Sequence, residues 1–303
     1  MTRPNFFIVG APKCGTTAMN DFLAQHPDIF MGYKEMHYFG ADLPMASTLT
    51  GERISLETYL DAFKKWNGEK RIGETAVLYL YSSSAPQEIK AFDPQAKIVI
   101  MLRNPVEQMY SMYFQALFVG DEDLPTFEAA LEAEPDRLAG KRIPPTCFKP
   151  LILLYRRNAR YSGYVRNYFD TFGRENVHVI IHDEFKKDNR GVYRQLLEFL
   201  EVDPTFEPQF NVINPHKEVR SRRVMSLVRK PPRVLMPAKR AMWTLFPDLS
   251  VKLYAKVNSL NAVKKSRPTI DPGLRRQLQE EFRPEVEALS ELLGKDLTHW
   301  VQA

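Results

Sequence analysis

Apolar and polar positions along this 303-residue chain fall into two recurring patterns. The first is the short unbroken apolar run. Phe6–Val9 and Ile98–Leu102 have the length and β-branched content of strands buried on both faces of a parallel sheet. Val177–His182 reads the same way, and Asp28–Met31 and Arg71–Thr75 read as shorter strands. The second pattern is helical spacing. Ala18, Met19, Phe22 and Leu23 begin a helix that should stop before His26-Pro27, because the residue before proline is pushed out of the helical region. Further helices are predicted around Leu56–Trp66, over Ala85–Phe92 behind Ser82–Ser84, at Thr126–Glu132, over 152–172 and over Val192–Leu200. A last helix starts at Asp271-Pro272 and carries Leu274, Leu278, Phe282, Val286, Leu289 and Leu293; Pro284 should kink or break it, and Gly294 should cap it. Strands and helices taken in turn predict one α/β domain, a central parallel sheet flanked by helices, over residues 1–303.

Three stretches carry chemistry. The first runs from the strand at Phe6 through Gly10-Ala11-Pro12-Lys13-Cys14-Gly15 into Thr16-Thr17 and the first helix. Backbone N–H groups at a helix start lack internal partners and carry partial positive charge, so a phosphate settles there. Gly15 admits close approach, Lys13 adds a point charge, and Thr16 and Thr17 add hydroxyl donors. Gly10 and Gly15 keep the spacing of a Walker loop, but Thr16 stands where that loop has lysine. Cys14 reads as a small residue in a tight loop rather than a reactive thiol.

The second stretch, Lys34-Glu35-Met36-His37-Tyr38-Phe39, follows a strand. Alternate residues there point to one side, so Glu35 and His37 face one cleft, and each is a candidate general base. Glu74, at the end of the strand Arg71–Thr75, is a third carboxylate candidate for that cleft. The third stretch places Arg103 at the carboxyl end of Ile98–Leu102, with Asn104-Pro105 opening a helix and Ser111 eight positions on. Ligands of open α/β sheets bind outside the carboxyl ends of the strands, which puts Arg103 on the same edge as the Lys13 loop. A guanidinium grips a phosphate through two parallel bonds.

PKCGTT after an N-terminal strand, KEMHYF, and the strand-R-N-P with its later serine together resemble the sulfotransferases that use 3′-phosphoadenosine 5′-phosphosulfate (PAPS), with the second motif similar to the heparan and carbohydrate type. The resemblance covers most of residues 5–221. It implies a P-loop NTPase-like fold, in-line transfer of a sulfuryl group from PAPS to an acceptor hydroxyl, the product PAP, and no metal. It implies Lys13, Glu35 and His37 as catalytic residues. The nucleotide would be held by Lys13, Cys14, Gly15, Thr16, Thr17, Arg103 and Ser111, with Arg220 from a basic lid. The histidine that phenol and steroid sulfotransferases carry near Glu74 has no counterpart here, which favours Glu35 as the base.

Composition and charge narrow the partners. Hydrophobic content of 44% and charged content of 26% are those of a globular protein, and a net charge of +5 suits anionic ligands. Val219 to Pro247 hold eight Arg or Lys and no Asp or Glu, within a lid segment of about 214–268. This stretch reads as a lid on the nucleotide through Lys217, Arg220 and Ser221, as a contact for anionic membrane or an acidic acceptor, or as a solvated face. No stacking or groove-reading motif accompanies it, which argues against nucleic acid. Two distant cysteines suggest neither a disulfide framework nor a metal cluster. The N-terminus has no signal-peptide pattern and no run spans a bilayer, so a cytoplasmic location is expected. The competing readings are a P-loop-like kinase using ATP and Mg²⁺ and a non-catalytic binder of polyanions or membrane surfaces.

Overall fold

The computed structural model describes residues 2–43, 53–211, 217–219, 242, 256, 262–264 and 268–302. The chain gathers into two compact units. One comprises Met1–Met109, Arg156–Ile213 and Pro272–Ala303; the other comprises Tyr110–Tyr155 and Asn214–Asp271.

The first unit is built on a five-stranded parallel sheet: β1 (Phe6–Gly10), β2 (Ile29–Met31), β3 (Arg71–Thr75), β4 (Lys97–Leu102) and β5 (Val177–Ile181), in the order β2-β3-β1-β4-β5. All four pairings are parallel, with Phe7 opposite Glu74 on one side and Ile98 on the other. Phe6 to Val9 and Ile98 to Leu102 are fully buried, as unbroken apolar runs in a covered parallel sheet should be. Neighbours are packed so closely at Gly73 that an added Cβ would lie 2.3 Å from Phe6 Cζ and 2.5 Å from Met31 Sδ. Every strand leaves the sheet at the same edge. From β1 the chain runs toward β2 and β3, whereas from the adjacent β4 it runs to β5 on the other side, and between two such strands open α/β sheets place their crevice.

The helices follow the predicted spacing in the main, with differences at several places; the helix expected around Leu56–Trp66, for one, ends at Asp61. The aromatic stretch over 152–172 is not one helix: a turn at Tyr155–Asn158 is followed by Tyr161–Phe172, whose preceding residue Arg160 has non-helical ψ of 83°. The strand expected over Val177–His182 stops at Ile181, and His182 opens the helix His182–Lys187 with Asp183 and Glu184 in its first turn. The helix Pro272–Leu293 runs unbroken through Pro284. Leu278, Phe282, Val286 and Leu289 on one face are all fully buried, and that packing outweighs the hydrogen bond proline forfeits.

In the second unit, Glu122 and Arg137 form a buried bidentate pair at 2.7 and 2.8 Å, joined by the Tyr155 hydroxyl at 2.9 Å. Two short strands, β6 (Lys217–Val219) and β7 (Ala262–Lys264), pair antiparallel there. Arg220, Ser221 and nearly all of the basic run lie outside the described residues, and only the backbone of Lys217 is described. No helix among the described residues is long and apolar enough to cross a membrane.

Candidate active site

The loop after β1 is fastened from two sides. Ala11 N donates to Met101 O of β4 at 2.7 Å, and Gln108 Nε2 donates to Pro12 O at 3.1 Å. Gly15, with φ of 93°, adopts a left-handed conformation open to glycine, and the helix Thr16–Leu23 begins directly after it. That helix has no side-chain cap and no acidic residue in its first turn, so its leading amides and its dipole are left to a ligand. This is a fit for a nucleotide phosphate. Cys14 is buried beneath the loop, and burial pushes its thiol up to about 12.

Arg103 leaves the end of β4 toward this loop. Its Nη1 donates to Lys13 O at 3.5 Å, and its Nη2 faces Glu107 Oε2 at 3.4 Å. Glu107 also accepts from Arg275 at 2.7 Å, so one carboxylate is shared by two guanidinium groups. Asn104 caps the helix Pro105–Val119 as expected, accepting from Val106 N at 3.0 Å and Glu107 N at 3.3 Å. Ser111 lies on that helix, 2% exposed, and is assigned to the other compact unit.

The second motif joins the first through a contact that the sequence does not announce. Lys34 Nζ donates to Thr17 Oγ1 at 2.9 Å. Burial holds the Lys34 ammonium below its ordinary range, opposed by the charges of Glu35 and Asp21. Glu35 N donates to Thr75 O of β3 at 2.7 Å, and Glu35 Oε2 accepts from Val77 N at 3.3 Å. His37 Nε2 lies 3.3 Å from the same oxygen. The Glu35 side chain is 35% exposed and that of His37 only 4%. Glu74 does not face an open cleft. It is fully buried, accepts from Tyr59 OH at 2.5 Å and Tyr79 OH at 2.8 Å, and burial pushes its carboxyl up to about 7. Of the three candidates, Glu35 alone offers a carboxylate to solvent.

Sequence reasoning missed the end of β5. A Cβ at Gly15 would touch Phe185 at 3.4 Å and His182 at 3.5 Å, so this segment walls the loop. Asp183 accepts from Trp300 Nε1 at 2.7 Å, and its carboxyl is held down to about 2 chiefly by the His182 ring, whose Nδ1 lies 3.7 Å away. The available signal was position: His182 directly follows the strand beside β4, on the edge where strands end.

A parallel sheet whose central strand feeds a glycine turn and an uncapped helix, with arginine at the end of the neighbouring strand, defines an α/β protein with a P-loop-like fold. The chain belongs to the sulfotransferase family, whose domain model matches residues 3–226. It is 26% identical over 213 residues to the bifunctional heparan sulfate N-deacetylase/N-sulfotransferase 1 of Caenorhabditis briggsae, a match covering 66% of this chain and 23% of that protein. It is 33% identical over 152 residues to carbohydrate sulfotransferase 15 of Mus musculus, covering 36% of this chain and 27% of the relative. The chain thus spans about a quarter of the length of these curated relatives. The crystal structure of a sulfotransferase from Alicyclobacillus acidocaldarius superposes with a TM-score of 0.75 at 29% identity, each chain covered in full. The chain therefore carries the family's domain in the family's fold.

Proposed function

We propose that the chain moves the sulfuryl group of PAPS to an acceptor hydroxyl, with Glu35 as general base. The observation that carries this reading is the 3.5 Å approach of the Arg103 guanidinium to the Lys13 carbonyl, which brings it to the loop that carries Lys13. PAPS, when bound, supplies the electrophilic sulfuryl group and a bisphosphate leaving group. Lys13, the amides of Gly15 to Thr17 and the two threonine hydroxyls would hold its 5′-phosphate; Arg103 would hold the 3′-phosphate and so select against donors lacking one. Lys13 concentrates positive charge where negative charge develops on the leaving side. Glu35 takes the proton of the acceptor hydroxyl: the O–H bond breaks and the carboxylic O–H forms. His37, against the same carboxylate oxygen, fixes its direction. The greater exposure of Glu35 favours it over His37 and Glu74 for a proton that must come from a substrate. The relatives are named for heparan sulfate and carbohydrate, which supports a saccharide hydroxyl as acceptor.

Two measurements test the reading. Calorimetry should show tight binding of PAP without Mg²⁺. A preference for ATP with Mg²⁺ would replace the sulfotransferase with a kinase, and binding of neither would leave a non-catalytic binder. With labelled PAPS and a panel of saccharide, lipid and small-molecule acceptors, Glu35→Gln should lower turnover by about 10²–10⁴-fold while leaving PAP affinity intact. Normal turnover in that variant removes Glu35 from the mechanism.

A further inference from the structure

Glu35 and His37 stand on a turn that the backbone does not favour. Their φ values are 59° and 50°, in the left-handed region where residues with a Cβ are uncommon. A turn of this kind needs fastening. Glu35 N bonds Thr75 O at its near end. At its far end, Phe39 N donates to the hydroxyl of Tyr79 at 3.2 Å, and that hydroxyl donates to Glu74 Oε1 at 2.8 Å. Glu74 is held in turn by Tyr59 through its other oxygen at 2.5 Å. The phenol of Tyr79 is therefore a two-way link, accepting from the turn and donating to a fixed buried carboxylate. Among the described residues, the Tyr59 hydroxyl bonds the carboxylate and not the turn, although its ring packs on Phe39 at 5.5 Å.

We propose that Tyr79, anchored by Glu74, is a positioning residue that holds the Lys34–Phe39 turn so that Glu35 meets the acceptor hydroxyl. The inference rests on Glu35 being the base. Tyr79 touches neither donor nor acceptor; it acts through the peptide of Phe39. Glu74, a candidate base by sequence, has the different task of orienting the phenol.

Tyr79 and Tyr59 give a matched pair, since phenylalanine keeps each ring and removes one hydroxyl donor to the same carboxylate. Only Tyr79→Phe also cuts the tie to Phe39. Tyr79→Phe should lower kcat by about tenfold or more, because small misplacements of a catalytic group are amplified in rate. PAP affinity and acceptor KM should stay within about twofold in this variant. Tyr59→Phe should keep kcat within about twofold of wild type. Equal kcat losses in the two variants, or an unimpaired kcat in Tyr79→Phe, overturns the proposal. So does failure of Tyr79→Phe to fold, since that would place the hydroxyl's role in the core and not in the turn. Glu35→Gln, measured alongside, separates the premise from the inference: full activity there refutes the base, whereas an inactive Glu35→Gln with tyrosine variants that behave alike refutes the link alone.

Discussion

Replacing Glu74 by glutamine tests whether this carboxylate is as deeply buried as its contacts indicate. Burial is the largest influence on its proton and raises its pKa; the hydroxyls of Tyr59 and Tyr79 pull it back, and the charge of Glu35 raises it again. The result is a carboxyl pushed from 4.5 up to about 7. In the unfolded chain Glu74 ionises near 4.5, while the folded protein keeps the proton until about 7. Between those values the unfolded state binds fewer protons, so stability falls as pH rises. The contribution is whole below the unfolded value and is lost as pH climbs through the folded one. At about 1.4 kcal/mol for each pH unit of that gap, the whole loss is about 3.5 kcal/mol, about 2.5 of it between pH 5 and pH 8. Glutamine cannot titrate but keeps one acceptor oxygen for a phenol. The assay is urea unfolding followed by tryptophan fluorescence at the two pH values, wild type against Glu74→Gln. The stability of wild type relative to the variant should fall by about 2.5 kcal/mol from pH 5 to pH 8. Combining Glu74→Gln with Glu35→Gln should make the pH effect smaller than in the Glu35 wild-type background, because one of the charges raising the carboxyl is gone. A relative stability that stays constant with pH refutes the argument, since it would mean that Glu74 ionises in the folded protein as it does in water.

Cys14, whose thiol burial pushes up to about 12, should resist iodoacetamide at neutral pH while the partly exposed Cys147 is alkylated; peptide mass spectrometry showing equal labelling would contradict the burial. Gly73→Ala should lower stability by about 1–3 kcal/mol through overpacking against Phe6 and Met31, and a neutral effect in denaturant unfolding would show that the sheet yields there. Glu35→Gly and Glu35→Ala should both be inactive. The glycine variant should nevertheless be the more stable by about 1 kcal/mol, the reverse of the usual order, because only glycine is at ease with a φ of 59°. A more stable alanine variant would show that the turn is not strained.

The elements that position the phosphate grip are local in sequence, and for that reason they were legible. The apolar run of β1, the glycine of the turn and the helical spacing after it lie within about twenty residues, and the Asn104-Pro105 start is a short-range signal read from capping chemistry. The pairing of Arg103 with the loop followed from a rule about strand ends, and the Lys13 carbonyl stands where that rule puts it. What was not legible depends on contacts distant in sequence. A glutamate at a strand end reads as a polar residue facing a cleft until tyrosines at 59 and 79 are found enclosing it. The bond from Lys34 to Thr17 and the wall that His182 makes at Gly15 are likewise invisible to periodicity. Pro284 misled in the opposite way, since local chemistry says break while the buried face of its helix says continue.

The backbone itself gives a further reason to connect the first two motifs. Five described residues other than glycine have positive φ, and three of them are Lys13, Glu35 and His37. Each left-handed residue of this type costs about 1–2 kcal/mol, so chance accumulation at one site is disfavoured unless the surrounding structure holds it there. The holding bonds are of one kind. Ala11 is tied to β4 and Glu35 to the end of β3, the two strands that flank β1, while Phe39 is tied to the phenol that Glu74 of β3 anchors. The sheet therefore does more than carry the loops. Its neighbouring strands hold two short turns in conformations they would not adopt alone, and those turns carry Lys13 and Glu35. In the proposed mechanism, a lysine and a base on turns held this way do not have to be ordered again when substrate arrives, which is the condition for electrostatic stabilisation to be felt in the transition state.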